Sequence, residues 1–256
     1  SDFELSANEQ KLVESVSSAF HAAGKKVVVV LNIGGVIETA SWKNRPDAIL
    51  CAWQAGQEGG NSVADVLSGK VNPSGKLTMT FPLRFQDAAS SANFPLDGAM
   101  SSMDFANMKE GDGSRRNWDY TDYEEDIFVG YRYFDSFGKE VSYPFGYGLS
   151  YTTFEYGQPS VDFANGVYKV NVEVRNSGNV AGREVVELYA ASPDSKAADR
   201  PEKELKAFAK TPLLAAGETC TVTLTLNAAD LASFDTPSSS WVVAGGNWNF
   251  LVGASS

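Results

Sequence analysis

A glycine-rich segment with one carboxylate is the strongest candidate for binding chemistry in this sequence. Gly56-Gln57-Glu58-Gly59-Gly60 follows the apolar run Asp47–Trp53 and precedes a helical pattern. Open α/β sheets bind ligands at such positions, where a strand ends and a helix begins. The segment lacks the Lys-Ser/Thr pair of a phosphate-binding loop and the GxGxxG fingerprint. The charge of Glu58 disfavours an anion and suits a sugar; alternatively, Glu58 pairs with the helix N-terminus in a capped turn.

A second carboxylate lies seven residues after Glu58. Asp65 falls on the same predicted helix, so the two side chains could share one face and act as an independent hydrolase pair. The alternative is that Asp65 is an ordinary solvated carboxylate on a surface helix.

Other catalytic chemistries have little support in the residue types. The sequence has one histidine, His21, so a Ser-His-Asp triad or a His-rich metal site would depend on it alone. Cys51 and Cys220 lie far apart in apolar strand patterns, and we predict two buried free thiols in different domains. We therefore expect no metal and no organic cofactor.

The composition indicates a globular protein with an acidic surface. The 256 residues, 43% hydrophobic and 21% charged, suffice for one large or two modest domains. A net charge of −11 disfavours nucleic acid and anionic membranes as partners. No apolar run approaches the roughly 18 residues of a membrane span. No signal-peptide pattern follows Ser1, which favours the cytoplasm, although a chain that starts at Ser1 is also consistent with a cut end.

Residues 1–82 predict an α/β layered domain. The tetrapeptide Ser6–Glu9 fits a capping box at the start of a helix. Lys25–Asn32 and Asp47–Trp53 are continuous apolar runs, typical of strands buried on both faces of a largely parallel sheet with flanking helices. Lys76–Phe81 predicts a third strand.

Residues 83–155 predict a long connecting loop and an aromatic-rich interdomain segment. Positions 83–120 show no periodicity, and such long loops are often functional, so this one is a candidate wall of a site. Tyr123–Tyr156 is dense in aromatic residues. These rings form either a sugar-stacking platform or ring-on-ring packing between two domains.

Residues 156–256 predict an all-β sandwich. Tyr168, Val170, Val172 and Val174 alternate with polar residues, and the same period of two recurs from Cys220 to Leu226 and from Trp248 to Val252. Turn signals separate these short strands, as in a β-sandwich of roughly 90 residues.

Several long strings in the sequence resemble the C-terminal half of family 3 glycoside hydrolases, the β-glucosidases. They are KKVVVVLNIGGVIE, WQAGQEGGNSVADVLSGKVNPSGKLTMTFP, YEEDIFVGYRYFD and YPFGYGLSYTTFEY. The strand-rich part, with LKAFAKTPLLAAGE and DLASFD, resembles the fibronectin type III-like domain of these enzymes. The resemblance covers essentially the whole chain, in order. It implies an α/β sandwich followed by a fibronectin type III-like sandwich.

The resemblance also implies a retaining hydrolase of terminal β-D-glucosides, with an Asp nucleophile on a barrel and a Glu acid/base on the α/β domain. Neither motif is present, because the acid/base segment would precede the equivalent of Asp2–Ser6. We therefore expect no catalytic residue in this chain and a barrel-containing N-terminal polypeptide as its partner. Trp53, Gln57 and Glu58 are the candidates for contact with the β-glucoside or oligosaccharide. A carbohydrate-binding or adhesion module without catalysis is the alternative.

Overall fold

The computed structural model describes residues 3–92, 123–193, 195 and 200–256. In the described residues up to Tyr143, the chain forms three α-helices and four short strands. They are α1 (Ala7–Ala22), β1 (Val28–Leu31), β2 (Ala48–Cys51), α2 (Gly59–Leu67), β3 (Phe81–Pro82), α3 (Tyr131–Ser136) and β4 (Val141–Tyr143). The predicted loop 83–120 lies largely outside the described residues.

Helix α1 begins with the predicted capping box. The Ser6 hydroxyl accepts a hydrogen bond from the Glu9 amide (3.4 Å), and the Glu9 carboxylate accepts one from the Ser6 amide (2.8 Å). Two amides that lack partners in the first helical turn are thereby satisfied. The helix stops before Gly24, whose φ of +68° suits a glycine.

Strands β1 and β2 pair in parallel, with Val28 opposite Ala48 and Leu31 opposite Cys51. The prediction that both faces are buried is wrong, because Val28 is 43% exposed and Val30 40% exposed. Their face has no cover in the described part of the chain. Burial of a strand depends on what packs over it, which the apolar run alone does not show.

The predicted third strand is also different. Only Phe81–Pro82 forms a strand, and it pairs antiparallel with β4. Leu77 instead bonds to the turn at residues 145–147. Its amide donates to the Tyr147 carbonyl (2.8 Å), and its carbonyl accepts from the Gly146 amide (2.8 Å). Among the described residues only the β1–β2 pair is parallel, so the largely parallel sheet is not confirmed.

The second part of the chain folds as two antiparallel sheets. The strands are β5 (Phe154–Tyr156), β6 (Ser160–Ala164), β7 (Val167–Asn176), β8 (Val185–Ala191), β9 (Glu204–Lys210), β10 (Thr219–Asn227), β11 (Ser233–Asp235), β12 (Ser240–Val242) and β13 (Asn249–Gly253). One sheet has the order β10-β7-β5, with β6 also paired to β7, and the other has the order β13-β8-β9. Strands β11 and β12 form a separate short hairpin.

The inward side chains of the two sheets form one apolar core. The predicted alternation is observed on β7, where Val170, Val172 and Val174 are fully buried. Val222 and Leu224 of the neighbouring strand β10 and Val186 and Leu188 of the facing strand β8 complete the buried cluster. This period-two burial is typical of sheet-on-sheet packing.

The outer face of β8 is covered by the aromatic-rich segment. The Tyr131 ring of α3 lies 4.9 Å from the Phe145 ring and 5.8 Å from the Tyr189 ring, measured between centroids. Lys76 adds an ion pair with Glu184 (2.9 Å). Rings here pack against rings between the two parts of the chain. The predicted domain limits at residues 82 and 155 stay predictions.

Candidate functional site

The loops that follow β1 and β2 meet at the carboxyl ends of the parallel pair. The Gln54 side chain lies against the backbone of Gly34, since a Cβ added to that glycine would stand 3.0 Å from Gln54 Nε2. Gly59, the first residue of α2, is buried, and a Cβ there would come within 2.8 Å of the Ala55 Cβ. At both glycines a neighbouring side chain can therefore approach the backbone closely. This packing lies at the place where open α/β sheets bind ligands.

Trp53 lies where the chain leaves β2. Its φ of +50° is unusual for a bulky residue and indicates local strain. The half-buried indole packs against the ring of buried Phe81, with 6.1 Å between centroids. The Phe81 ring in turn contacts the Tyr143 ring edge-on at 6.1 Å. Tertiary packing therefore holds Trp53 in a conformation that its own side chain disfavours.

Gln57 and Glu58 are exposed at the start of α2. Glu58 is the N-cap residue, but its carboxylate makes no bond to the helix amides. Glu58 Oε2 instead accepts a hydrogen bond from the Asn61 side-chain amide at 2.6 Å. Glu58 therefore lies at the cap position, as the capped-turn alternative requires, but its side chain does not bond the helix N-terminus.

Asp65 does not share the surroundings of Glu58. Its carboxylate pairs with Lys70 at 2.9 Å on the C-terminal half of α2. The carboxylates of Glu58 and Asp65 are therefore bound by different neighbouring side chains, Asn61 and Lys70.

His21, the one histidine of the sequence, pairs with a carboxylate that links α1 to the strands. His21 Nε2 lies 2.9 Å from Asp47 Oδ2, and the same carboxylate accepts bonds from Lys26 (2.7 Å) and the Val27 amide (2.8 Å). These bonds, that of Lys26 first, hold the pKa of Asp47 well below its ordinary value. They join α1 to the starts of β1 and β2, away from the loop of Glu58.

Both cysteines are free thiols, as predicted, and both are half-buried rather than fully buried. Burial raises the pKa of Cys51, against the opposing hydrogen bond of the Trp53 amide. Burial also raises the pKa of Cys220. Thiols with raised pKa values are poor nucleophiles at neutral pH.

Within residues 3–92, 123–193, 195 and 200–256, no three His, Cys, Asp or Glu side chains lie close enough together to hold a metal ion. The same residues contain no helix long and apolar enough to span a membrane.

Sequence reasoning missed Gln54 and Gly34 as parts of this site. The only signal for them was the Gly34-Gly35 pair directly after β1, which places backbone without a side chain next to the following loop.

The fold and this loop define the class of protein. Residues 1–151 match the model of the glycosyl hydrolase family 3 C-terminal domain, and residues 184–256 match the fibronectin type III-like domain. The chain therefore belongs to glycosyl hydrolase family 3, as the resemblance of its strings implied.

Particular relatives cover nearly the whole chain. β-Glucosidase A from Butyrivibrio fibrisolvens is 39% identical over 99% of the chain, and so is an exo-α-(1→6)-L-arabinopyranosidase from Bifidobacterium breve. The structure of β-glucosidase 3B from Thermotoga neapolitana with α-D-glucose is 46% identical over 99% of the chain, with a TM-score of 0.87. The chain spans only 30% of each of these two curated relatives and 33% of the solved chain.

Proposed function

We propose that this chain is the C-terminal portion of a retaining β-glucosidase that hydrolyses terminal β-D-glucosides. The observation that carries the proposal is the similarity, over 99% of the chain, to a third of β-glucosidase 3B. In this proposal the chain supplies scaffold and part of the wall of the sugar site.

The two catalytic carboxylates lie outside this chain in the proposal. Retaining glycosidases place two carboxyl groups about 5–5.5 Å apart around the glycosidic bond. Here Glu58 bonds Asn61 and Asp65 pairs with Lys70, so each carboxylate already has a local partner. The nucleophile and the acid/base therefore belong to the N-terminal two thirds that the relatives have beyond the matched region.

Trp53, Gln57 and Glu58 form the proposed wall. The strained backbone of Trp53 supports this role, because such strain concentrates at ligand sites. Glu58 and Gln57 are exposed and offer hydrogen-bonding groups suited to sugar hydroxyls.

An N-terminal, barrel-containing polypeptide is the proposed partner. Among the described residues the parallel pair β1–β2 gains no third strand, and isolated two-stranded sheets are marginally stable. Val28 and Val30 are exposed on one face of β1. We propose that the partner extends this pair into the largely parallel sheet and covers that face.

Complementation tests the proposal. The purified 256-residue chain alone should not hydrolyse an aryl β-glucoside. Addition of the N-terminal two thirds of a relative, such as β-glucosidase 3B, should restore turnover. The aryl α-L-arabinopyranoside is assayed in parallel, because one similar enzyme is named for that sugar.

Variants of the chain sharpen the test. In the complemented enzyme, Glu58→Gln should reduce kcat/KM by roughly tenfold or less, far below the several orders of magnitude expected for loss of a catalytic carboxylate. Glu173→Gln, on the exposed side of β7, is the matched control and should change nothing. Turnover by the chain alone that Glu58→Gln abolishes would contradict the proposal. Binding of cellobiose by the chain alone, with no turnover after complementation, would favour the carbohydrate-binding module instead.

A further inference from the structure

Glu187 is a buried carboxyl group at the contact between the two parts of the chain. It lies on β8, where Val186 and Leu188 point into the sandwich core, and its own side chain faces the opposite side of the sheet. Only 4% of the residue is exposed. A buried carboxyl group costs free energy unless its charge and lone pairs are satisfied.

The Glu187 carboxyl group lies at the turn of Gly146, which the Ser255 backbone also approaches. A Cβ added to Gly146 would lie 2.5 Å from Glu187 Oε2, 2.8 Å from Oε1 and 2.7 Å from the Ser255 Cα. Tyr189, on the same strand, donates its hydroxyl proton to Oε2 at 2.5 Å. The Glu187 carboxyl group and the Ser255 backbone therefore both pack against the turn at Gly146.

Backbone bonds tie these segments to the first part of the chain. Gly146 and Tyr147 exchange hydrogen bonds with Leu77, and the Ser256 amide donates to the Phe145 carbonyl at 2.9 Å. We call this set, Lys76, Leu77, 145–147, Glu187 and 255–256, the interdomain junction. Any expansion around Glu187 must strain or break these bonds.

Among the described residues, the charges that act on Glu187 are those of Lys76 and Glu184, while Lys203 lies over the ring of Tyr189 at 5.7 Å from its centroid. Lys76 pairs with Glu184 at 2.9 Å, and both side chains are only 12% exposed. Tyr156, on β5, has a buried hydroxyl with no hydrogen-bond partner among the described residues. The Tyr147 ring packs against the Tyr143 ring, with 5.0 Å between centroids.

The groups around Glu187 shift its pKa in opposite directions. Burial raises the pKa of Glu187 most, the hydrogen bond from Tyr189 and the charge of Lys76 lower it, and Glu184 raises it, with a net upward shift. Above this raised pKa, an ionised Glu187 adds a second anion to a junction whose cation is already paired.

We propose that Glu187 makes the interdomain junction pH-sensitive: its protonated carboxyl keeps the two parts of the chain packed together, and its ionisation loosens them. The proposal does not depend on the glycosidase activity. It follows from the burial of one carboxyl group at the turn of Gly146, where the two parts of the chain and the segment 255–256 meet.

The sign of the effect is fixed by linkage. Because the pKa is higher in the folded chain than the ordinary 4.5, the folded state binds the proton more tightly. The stability from this group is full below 4.5 and is lost as the pH rises through the folded pKa. Opening of the junction should then increase by up to tenfold per pH unit in that window, the limit for release of one proton.

Hydrogen exchange of the full chain measures this opening. The amides of Leu77, Gly146 and Ser256, which bond across the junction, should lose protection as the pH rises from 4.5, after correction for intrinsic exchange. In Glu187→Gln, a neutral side chain of the same shape, protection should stay constant with pH. Glu155→Gln, an exposed carboxylate on β5, is the matched control and should behave as the parent chain.

Each outcome decides the proposal. Parallel pH profiles for the parent chain and Glu187→Gln would overturn it, as would pH-independent protection in the parent chain. If Glu187→Gln does not fold, titration of the Glu187 carboxyl carbon by NMR in the parent chain replaces it. A midpoint at or below 4.5 would then overturn the proposal, and a midpoint above 4.5 with the loss of protection would support it.

Discussion

Replacement of Gly146 by alanine should destabilise the chain more than the same change at a matched glycine. Gly146 and Gly217 both have a φ of +79°, and each amide donates a backbone hydrogen bond, to Leu77 and Asn176 respectively. They differ in the space around them, because no atom of the described residues lies within 4 Å of a Cβ at Gly217. At Gly146 the same Cβ would stand 2.7 Å from the Ser255 Cα and closer still to the Glu187 carboxylate.

The expected loss of unfolding free energy has two parts, the cost of left-handed backbone and the cost of crowding by the added methyl group. Left-handed backbone costs an alanine about 1–2 kcal/mol at either position. Forcing an extra methyl group into packed atoms adds about 1–3 kcal/mol, and backbone atoms cannot move aside as a side-chain end can. Gly217→Ala should therefore lose about 1–2 kcal/mol of unfolding free energy, and Gly146→Ala about 2–5 kcal/mol.

Urea unfolding followed by far-ultraviolet circular dichroism measures both losses. The decisive quantity is the difference between the variants rather than either loss alone. Equal losses in Gly146→Ala and Gly217→Ala would refute the reasoning, because the carboxyl group and the 255–256 segment would then not occupy the space above Gly146.

Three further outcomes follow from buried polar groups and thiols. Asn176→Ala removes four hydrogen bonds of a fully buried side chain, with Thr152, Gly178, Val180 and Leu214, and should cost about 2–4 kcal/mol in thermal or urea unfolding. Asn171→Ala, whose bonds are exposed, should cost under about 1 kcal/mol, and equal costs would contradict the prediction. Lys76→Met leaves Glu184 unpaired in a nearly buried site and should cost about 3–5 kcal/mol, with partial recovery in the double variant with Glu184→Gln; a cost near zero would show that the ion pair is solvated. Cys51 and Cys220 should react with a thiol reagent about tenfold or more slowly in the native chain than in urea, since burial raises both pKa values; equal rates would be evidence against their burial.

The β-sandwich could be predicted from the sequence because the alternation of apolar and polar residues lies within each strand. Val170, Val172 and Val174 alternate with polar residues, and this pattern alone determines which side chains enter the core. The capping box of Ser6 and Glu9 is likewise contained within four residues.

The α/β part was harder to predict because its strands pair with, and are covered by, segments that are distant in the sequence. Whether Val28 and Val30 are covered depends on elements outside the strand. Leu77 pairs with a turn near position 147, about seventy residues away, and no pattern in Lys76–Phe81 shows this. The run of apolar residues predicted a strand but not its partner.

The candidate site and the interdomain junction show the same difference between local and non-local signals. A strand followed by glycines predicted where Gln57 and Glu58 lie. The alternation of β8 places Glu187 on the outer face, where a polar residue is expected to be solvated. Nothing near it in sequence indicates that another part of the chain covers that face, so its burial could only be seen in three dimensions.

The bond from Ser256 to Phe145 also has a consequence for folding during synthesis. The turn 145–147 contacts Leu77 as soon as both have been made, but its contacts with Glu187 and Ser255 require residues translated much later. Because chains fold from the N-terminus as they emerge from the ribosome, the α/β part spends that interval with the Gly146 surface uncovered. A nascent chain arrested before residue 255 should therefore expose this turn to proteases that the released chain resists.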